Sequence, residues 1–241
     1  FDKLEQRSII EEFDEPIILE EVMTAIKNTK LKKSPGPDGI LSEVLVYGGR
    51  TLISFLLTIF NLFWRSAKLP SDLIDATICI LFKKGDRSDC GNYRGISLLS
   101  VVGKIFADIV LQRLKRLAEL VYHESQSGYR DGRGTIDGIF ILRQMMEKCR
   151  EQKQNLNIAF IDFTKAFDCV NRELLFKILG KLGCPANFVQ VIRMLYSDVH
   201  ARLCNDGELS NPIEYKSGVK QGCNRVFVKI CNNRDLFPSN R

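Results

Sequence analysis

The run from Leu156 to Phe163 constrains the fold most, because it is apolar on both faces of a period-two pattern and yet carries a carboxylate, Asp162. A run of this kind reads as a strand in the middle of a sheet, with other layers covering both faces. Asp162 falls where that pattern asks for an apolar side chain. A buried, unpaired carboxylate would be costly, so it needs a cation, a metal ion or exposure at the strand end, or else it caps the turn that follows.

Around this run the pattern is mostly helical. Residues 19–29 place Val22, Ala25 and Ile26 on one face, and a loop with two prolines and two glycines follows, Lys32-Lys33-Ser34-Pro35-Gly36-Pro37-Asp38-Gly39. Helices are predicted over 40–47 and 51–66, separated by Gly48-Gly49, and a strand over 75–82 with Ala76, Ile78, Ile80 and Phe82 on one face. Residues 101–118 read as an amphipathic helix with Val102, Ile105, Phe106, Ile109 and Leu117 inward and Arg113, Lys115 and Arg116 on other faces. Further helices are predicted at 135–151, 171–180 and 185–197, the last opened by Pro185, and a hairpin around Asn205-Asp206-Gly207. The class is α+β.

The most apolar stretch, Leu52–Trp64, is too short to span a bilayer and reads as a buried core helix. Eight cysteines are scattered without a C-x-x-C pair, beside only two histidines, which argues against zinc clusters and for reduced thiols in an intracellular protein. Cys79 and Cys169 lie in or beside apolar runs and read as small buried hydrophobes. A net charge of +6 suits a nucleic-acid partner without requiring one. Phe1 is not an initiator methionine, so the natural start is expected to be missing.

The segments that punctuate these elements form an ordered set. Ser34-Pro35-Gly36-Pro37-Asp38-Gly39 resembles the S-P-G-x-D-G signature of reverse transcriptases from non-LTR retrotransposons. Lys83-Lys84-Gly85-Asp86 with Asn92-Tyr93-Arg94-Gly95-Ile96-Ser97-Leu98-Leu99 resembles their K-K-G-D…N-Y-R-P-I-S-L-L motif, with Gly95 in place of the usual proline. Gln126-Ser127-Gly128-Tyr129-Arg130 resembles Q-x-G-F-R, and Phe160-Ile161-Asp162-Phe163-Thr164-Lys165-Ala166-Phe167-Asp168 resembles the family's first carboxylate motif. Gly218-Val219-Lys220-Gln221-Gly222 resembles G-V-x-Q-G.

The resemblance implies the fingers and part of the palm of a right-hand polymerase, with an incomplete antiparallel palm sheet. It divides the chain into an N-terminal extension and fingers over 1–154, a partial palm over 155–223 and an unlike tail over 224–241. It implies RNA-templated DNA synthesis from dNTPs, with Mg²⁺ or Mn²⁺ as cofactor, an RNA template and a DNA primer as partners, no membrane, and a place in nucleus and cytoplasm. Asp162 would be the catalytic metal ligand, with the Phe163 backbone beside the metals. Lys83 or Lys84 with Arg94 would grip the triphosphate, as a lysine point charge and an arginine fork do. Thr164, Lys165, Ala166 and Phe167 would line the nucleotide site, Phe167 as the gate against a ribose 2′-OH, with Gln221 and Gly222 near sugar and template base. Tyr129, Arg130, Arg133, Lys220 and the exposed basic residues of 104–116 would meet the nucleic acid.

The family's second carboxylate group, an aromatic-Ala-Asp-Asp hairpin, has no counterpart here. After Gln221 the only acidic residue is Asp235, between Arg234 and Leu236. Two-metal phosphoryl transfer needs carboxylates from more than one strand, so these residues by themselves are expected to show little or no polymerase activity; the alternative reading is a non-catalytic nucleic-acid-binding module.

Overall fold

In the computed structural model, residues 4–128, 130–163, 169–205, 208–214 and 217–219 are described. Helix α1 (Leu19–Lys27) turns Val22, Ala25 and Ile26 inward, as the sequence pattern predicts. Helices α2 (Ser42–Tyr47) and α3 (Gly49–Ser66) follow, and a single turn, α4 (Ser71–Ile74), leads into strand β1 (Ala76–Phe82). Strand β2 (Tyr93–Leu99) runs into the long helix α5 (Val101–Val121), then α6 (Thr135–Glu151), α7 (Arg172–Lys181) and α8 (Ala186–Met194). Strands β3 (His200–Asn205), β4 (Glu208–Leu209) and β5 (Ile213–Glu214) complete the described elements.

Helix α3 is apolar over much of its surface but buries one stripe, with Leu56, Phe60, Phe63 and Trp64 inward and Phe55 and Leu62 in solvent. No helix among the described residues is long and apolar enough to cross a membrane. One continuous core joins α1, α3, α5, α7 and α8, with Phe60, Phe106, Leu114, Leu179, Phe188 and Ile192 fully enclosed. Helix α6 stands apart, with no buried residue and with Ile136, Ile139, Phe140 and Met146 in solvent.

The sheet is mixed, which corrects the antiparallel sheet expected. β1 pairs antiparallel with β2 along its whole length, from Ala76 opposite Leu99 to Phe82 opposite Tyr93. Its other edge pairs parallel with β3, from Ala76 opposite Ala201 to Cys79 opposite Cys204. A parallel partner needs a long crossover, and α5 to α8 supply it. β4 and β5 both pair antiparallel with β3, and β3 with β4 forms the hairpin predicted around Asn205.

Residues 156–163 form no strand, against the sequence pattern. Both edges of β1 are already taken by β2 and β3, and among the described residues no other strand lies beside the run. Its side chains face solvent instead, Phe160 at 86% exposure. Cys169, next to this segment, is exposed rather than buried, and Cys79 is half-buried opposite Cys204. Among the described cysteines Cys184 is the buried thiol, and burial pushes it up to about 12.

The loop around Gly36 is seated on the junction between β2 and α5. A Cβ on Gly36 would lie 2.5 Å from the Leu99 carbonyl carbon and from the Ser100 nitrogen, both backbone atoms that have little room to yield. Gly39, at φ +68, has nothing within 4 Å and is instead fixed by its left-handed backbone. Gly36→Ala is therefore expected to destabilise by about 1–3 kcal/mol through overpacking, and Gly39→Ala by about 1–2 kcal/mol through backbone strain. Urea unfolding of the two variants checks this, and a Gly36→Ala midpoint equal to wild type would contradict the contact.

Candidate active site and its flanking segments

The predicted metal- and nucleotide-site residues fall on three pieces of chain. The first is the β1–β2 hairpin. Lys83 N donates to the Asn92 carbonyl at 2.8 Å and closes the turn, Asn92 Nδ2 donates back to the Asp86 carbonyl at 2.9 Å, and the Tyr93 hydroxyl donates to the Arg87 carbonyl at 2.8 Å. Gly85 has φ +95, and a Cβ there would strike the Asn92 amide at 2.8 Å. The Ser88 backbone N–H donates to Asp86 Oδ1 and holds that carboxyl below the usual range. Phe82 packs edge-on against Tyr93, and the Arg87 guanidinium lies 5.2 Å over the Phe82 ring. This braced turn presents Lys83 and Lys84 to solvent. Arg94 pairs with Leu81 in the ladder, so its backbone belongs to the same hairpin, while its side chain lies outside the description. The hairpin thus gathers three residues expected to grip phosphate.

The second piece carries Asp162 and Phe163. Asp162 is exposed in the irregular run after α6, with no hydrogen bond or ion pair among the described residues, and Phe163 is exposed beside it. Exposure removes the desolvation cost that the sequence pattern raised. Among the described residues no group of three or more His, Cys, Asp or Glu could hold a metal ion. A single carboxylate is fewer donors than a two-metal clamp requires, so the described residues do not by themselves make up the metal site. Thr164, Lys165, Ala166, Phe167 and Asp168 lie outside the described residues, as do Tyr129, Lys220, Gln221 and Gly222.

The third piece is the flank of the G-V-K-Q-G segment. Gly218 N donates to the Val170 carbonyl at 3.1 Å, so the residues after the carboxylate motif and those opening the later motif are bonded to each other. Val219 is buried in the common core. Arg172, which the sequence reading passed over, bridges these segments. Its signal was a cation at the first position of a helix, where the helix dipole disfavours one. Asn171 caps that helix by accepting from Leu174 N at 3.0 Å. A cavity of about 500 Å³ opens here, lined by Cys169, Asn171, Arg172, Glu173, Arg193 and Tyr196 among others. Arg193 pairs with Glu173 and lies 4.5 Å over the Phe176 ring.

The basic residues expected to touch template are mostly engaged with carboxylates. Arg130 pairs with Glu119 at 3.2 Å and with Glu124, Arg133 pairs with Glu124, and Lys115 pairs with Asp131 at 2.8 Å. Arg116 lies 3.9 Å from Glu12. Arg113, placed by the sequence reading among the charged faces of its helix, is buried. Its Nε and Nη2 donate to the two Glu21 oxygens at 2.7 Å, and the same guanidinium donates to the Phe13, Glu15 and Pro16 carbonyls. It lies 4.5 Å over the Trp64 ring. Position 113 follows Phe106 by seven and precedes Leu117 by four, so it belongs to the helix's inward stripe.

Residues 82–225 match the family described as reverse transcriptase (RNA-dependent DNA polymerase). The chain is 30% identical over 88% of its length to the transposon TX1 uncharacterized 149 kDa protein of Xenopus laevis. It is 30% identical over 86% to the probable RNA-directed DNA polymerase from transposon BS of Drosophila melanogaster. Against the retrovirus-related Pol polyprotein from type-1 retrotransposable element R2 of Popillia japonica it is 28% identical over 86%. The match spans 16%, 23% and 28% of these relatives' own lengths. The chain belongs to the reverse transcriptase family of RNA-directed DNA polymerases, and the resemblance to the non-LTR retrotransposon branch read from its motifs is borne out.

Proposed function

We propose that this chain is the part of a retrotransposon reverse transcriptase that holds template–primer and the incoming dNTP for RNA-templated DNA synthesis. The observation that carries the reading is the β1–β2 hairpin, whose turn and second strand lie in the family-matched span and which puts Lys83, Lys84 and the Arg94 backbone together. A phosphate-gripping set needs such a rigid base, because fixed geometry lowers the ordering cost of binding. In this reading Asp162 would be one ligand of the family's Mg²⁺ or Mn²⁺ ions, which would supply charge stabilisation for phosphoryl transfer. The chain's own part is to expose that carboxylate at solvent and to set the lysines against the triphosphate. Residues 1–154 act as extension and fingers and 155–223 as palm in this reading, with the tail after Cys223 outside the polymerase body. Nucleus and cytoplasm are where the template and its product would be met.

These 241 residues carry no Asp-Asp pair after Gln221, so the expected result is binding without extension. Primer extension on an RNA template with Mg²⁺ and dNTPs, run beside filter binding across a salt series, checks it. Salt-dependent retention of template–primer with no incorporation supports the reading. Incorporation that Asp162→Ala abolishes would instead show that a second carboxylate is supplied by other means.

A further inference from the structure

We propose that Arg172 is a positioning residue that fixes the start of the Gly218-Val219-Lys220-Gln221-Gly222 segment against the chain leaving the carboxylate motif, and so sets where the nucleotide-contacting residues stand. The proposal rests on the functional reading above. Two segments distant from it in sequence converge on this one side chain. Nε donates to the Gly218 carbonyl at 2.8 Å, Nη1 to the Tyr196 carbonyl at 3.0 Å and Nη2 to the Ser217 carbonyl at 3.3 Å. The guanidinium also lies 5.4 Å from the centre of the Tyr196 ring, itself buried.

The arrangement fits arginine and not lysine. Three carbonyls from two segments are met by the rigid fork of a planar guanidinium, which an ammonium on a flexible stem cannot span. The residue also opens α7, where a cation opposes the helix dipole, so its presence there is accounted for by the carbonyls and not by the helix. The backbone supports the same conclusion from the other side. Gly218 sits at φ +76 and donates to Val170, while Val219 is locked in the core. Gly218 is therefore held by Val170 and by Arg172, and Val219 by the core. Arg172 touches neither Asp162 nor the hairpin among the described residues, so its effect on nucleotide passes through the segment it holds.

The test compares the full chain with Arg172→Lys and Arg172→Met. Hydrogen–deuterium exchange reads the Gly218 amide against amides of α5, and a fluorescent dNTP and a labelled RNA–DNA template–primer are titrated in parallel. Arg172→Lys is expected to quicken Gly218 exchange with α5 unchanged, and to weaken dNTP binding about tenfold, the loss of about one charge-assisted bond. Template–primer affinity should stay within about twofold of wild type, since phosphate contacts elsewhere set it. A merely structural loss would lower both affinities together. Should Arg172→Met fail to fold, Arg172→Lys alone decides. Unchanged Gly218 exchange, or an unchanged dNTP affinity in Arg172→Lys, overturns the proposal. A wild-type chain that holds template–primer but no dNTP overturns the functional reading itself.

Discussion

Replacing Arg113 by alanine is expected to lower the stability of the fold by about 3–5 kcal/mol, or about 6–20 °C in midpoint for a domain of this size. The guanidinium satisfies both Glu21 oxygens and the carbonyls of Phe13, Glu15 and Pro16 from inside the core. Without it the Glu21 carboxylate is left half-buried and unpaired, and the entry to α1 loses its anchor. Glu21 also accepts from Ile18 N at 3.0 Å, so helix cap and ion pair share one side chain. Burial pushes the Glu21 carboxyl up, yet the bonds from Arg113 and from Ile18 outweigh it and hold it below its ordinary 4.5. A depressed carboxyl contributes stability that is full above the unfolded value and lost as pH falls through the folded one. The deficit of Arg113→Ala should thus begin to shrink as pH falls below about 4.5 and go on shrinking through the lowered folded value of Glu21, below which the carboxyl is neutral in both proteins. Guanidinium melts at pH 7 and pH 3 measure it, and an equal deficit at both would show that Glu21 is not the partner that matters. The double variant Arg113→Met with Glu21→Leu should recover part of the loss, since neither charge then remains buried alone.

Arg113 also shows what a sequence reading can and cannot reach. The periodicity of α5 was legible, and so were α1, α3, α6 and β1, because each is an amphipathic or alternating pattern with clear stops. Arg113 lay on the inward stripe of that pattern, but arginine is so seldom buried that its charge outvoted its position. Strand β2 was read as a motif and not as a strand, because its Arg94-Gly95 breaks the alternation; the ladder to β1 forms it regardless. The failure at 156–163 is of another kind. Local pattern states what a segment could pair with, not whether it does: both edges of β1 are taken, and the run is not paired with β2, whose one partner among the described residues is β1. The same limit explains Gly36 and Arg172. The one looked like a turn glycine and the other drew no notice, until contacts with Leu99 and with Gly218 gave each a partner far along the chain. On the site side, family motifs named Lys83, Lys84, Arg94 and Asp162, whereas only tertiary structure links Val170 to Gly218.

Phe106→Ala should produce a loss of similar size, about 3–5 kcal/mol, by a mechanism without charge. Phe106 is fully enclosed where α5 meets α3, and its ring stands 5.4 Å from Phe60, 5.9 Å from Phe63 and 6.5 Å from Trp64. The interplanar angle to Phe63 is 85°, the edge-to-face arrangement that the ring quadrupoles favour. Alanine there removes the filling of a site walled by Phe60, Phe63 and Trp64 of α3, and such a space collapses only in part. Phe106→Leu keeps most of the apolar area but gives up the ring pairs, each worth about 0.5–1.5 kcal/mol, and should fall between alanine and wild type. Trp64 is the chain's only tryptophan and is 2% exposed, so its emission reports unfolding of this cluster directly. Trp64 also stacks under Arg113 and packs 5.8 Å from Phe188 on α8. The losses at Phe106 and Arg113 should therefore fail to add, because both act on one ring. A double variant whose deficit equals the sum of the singles would mean that the aromatic cluster and the buried ion pair are independent supports.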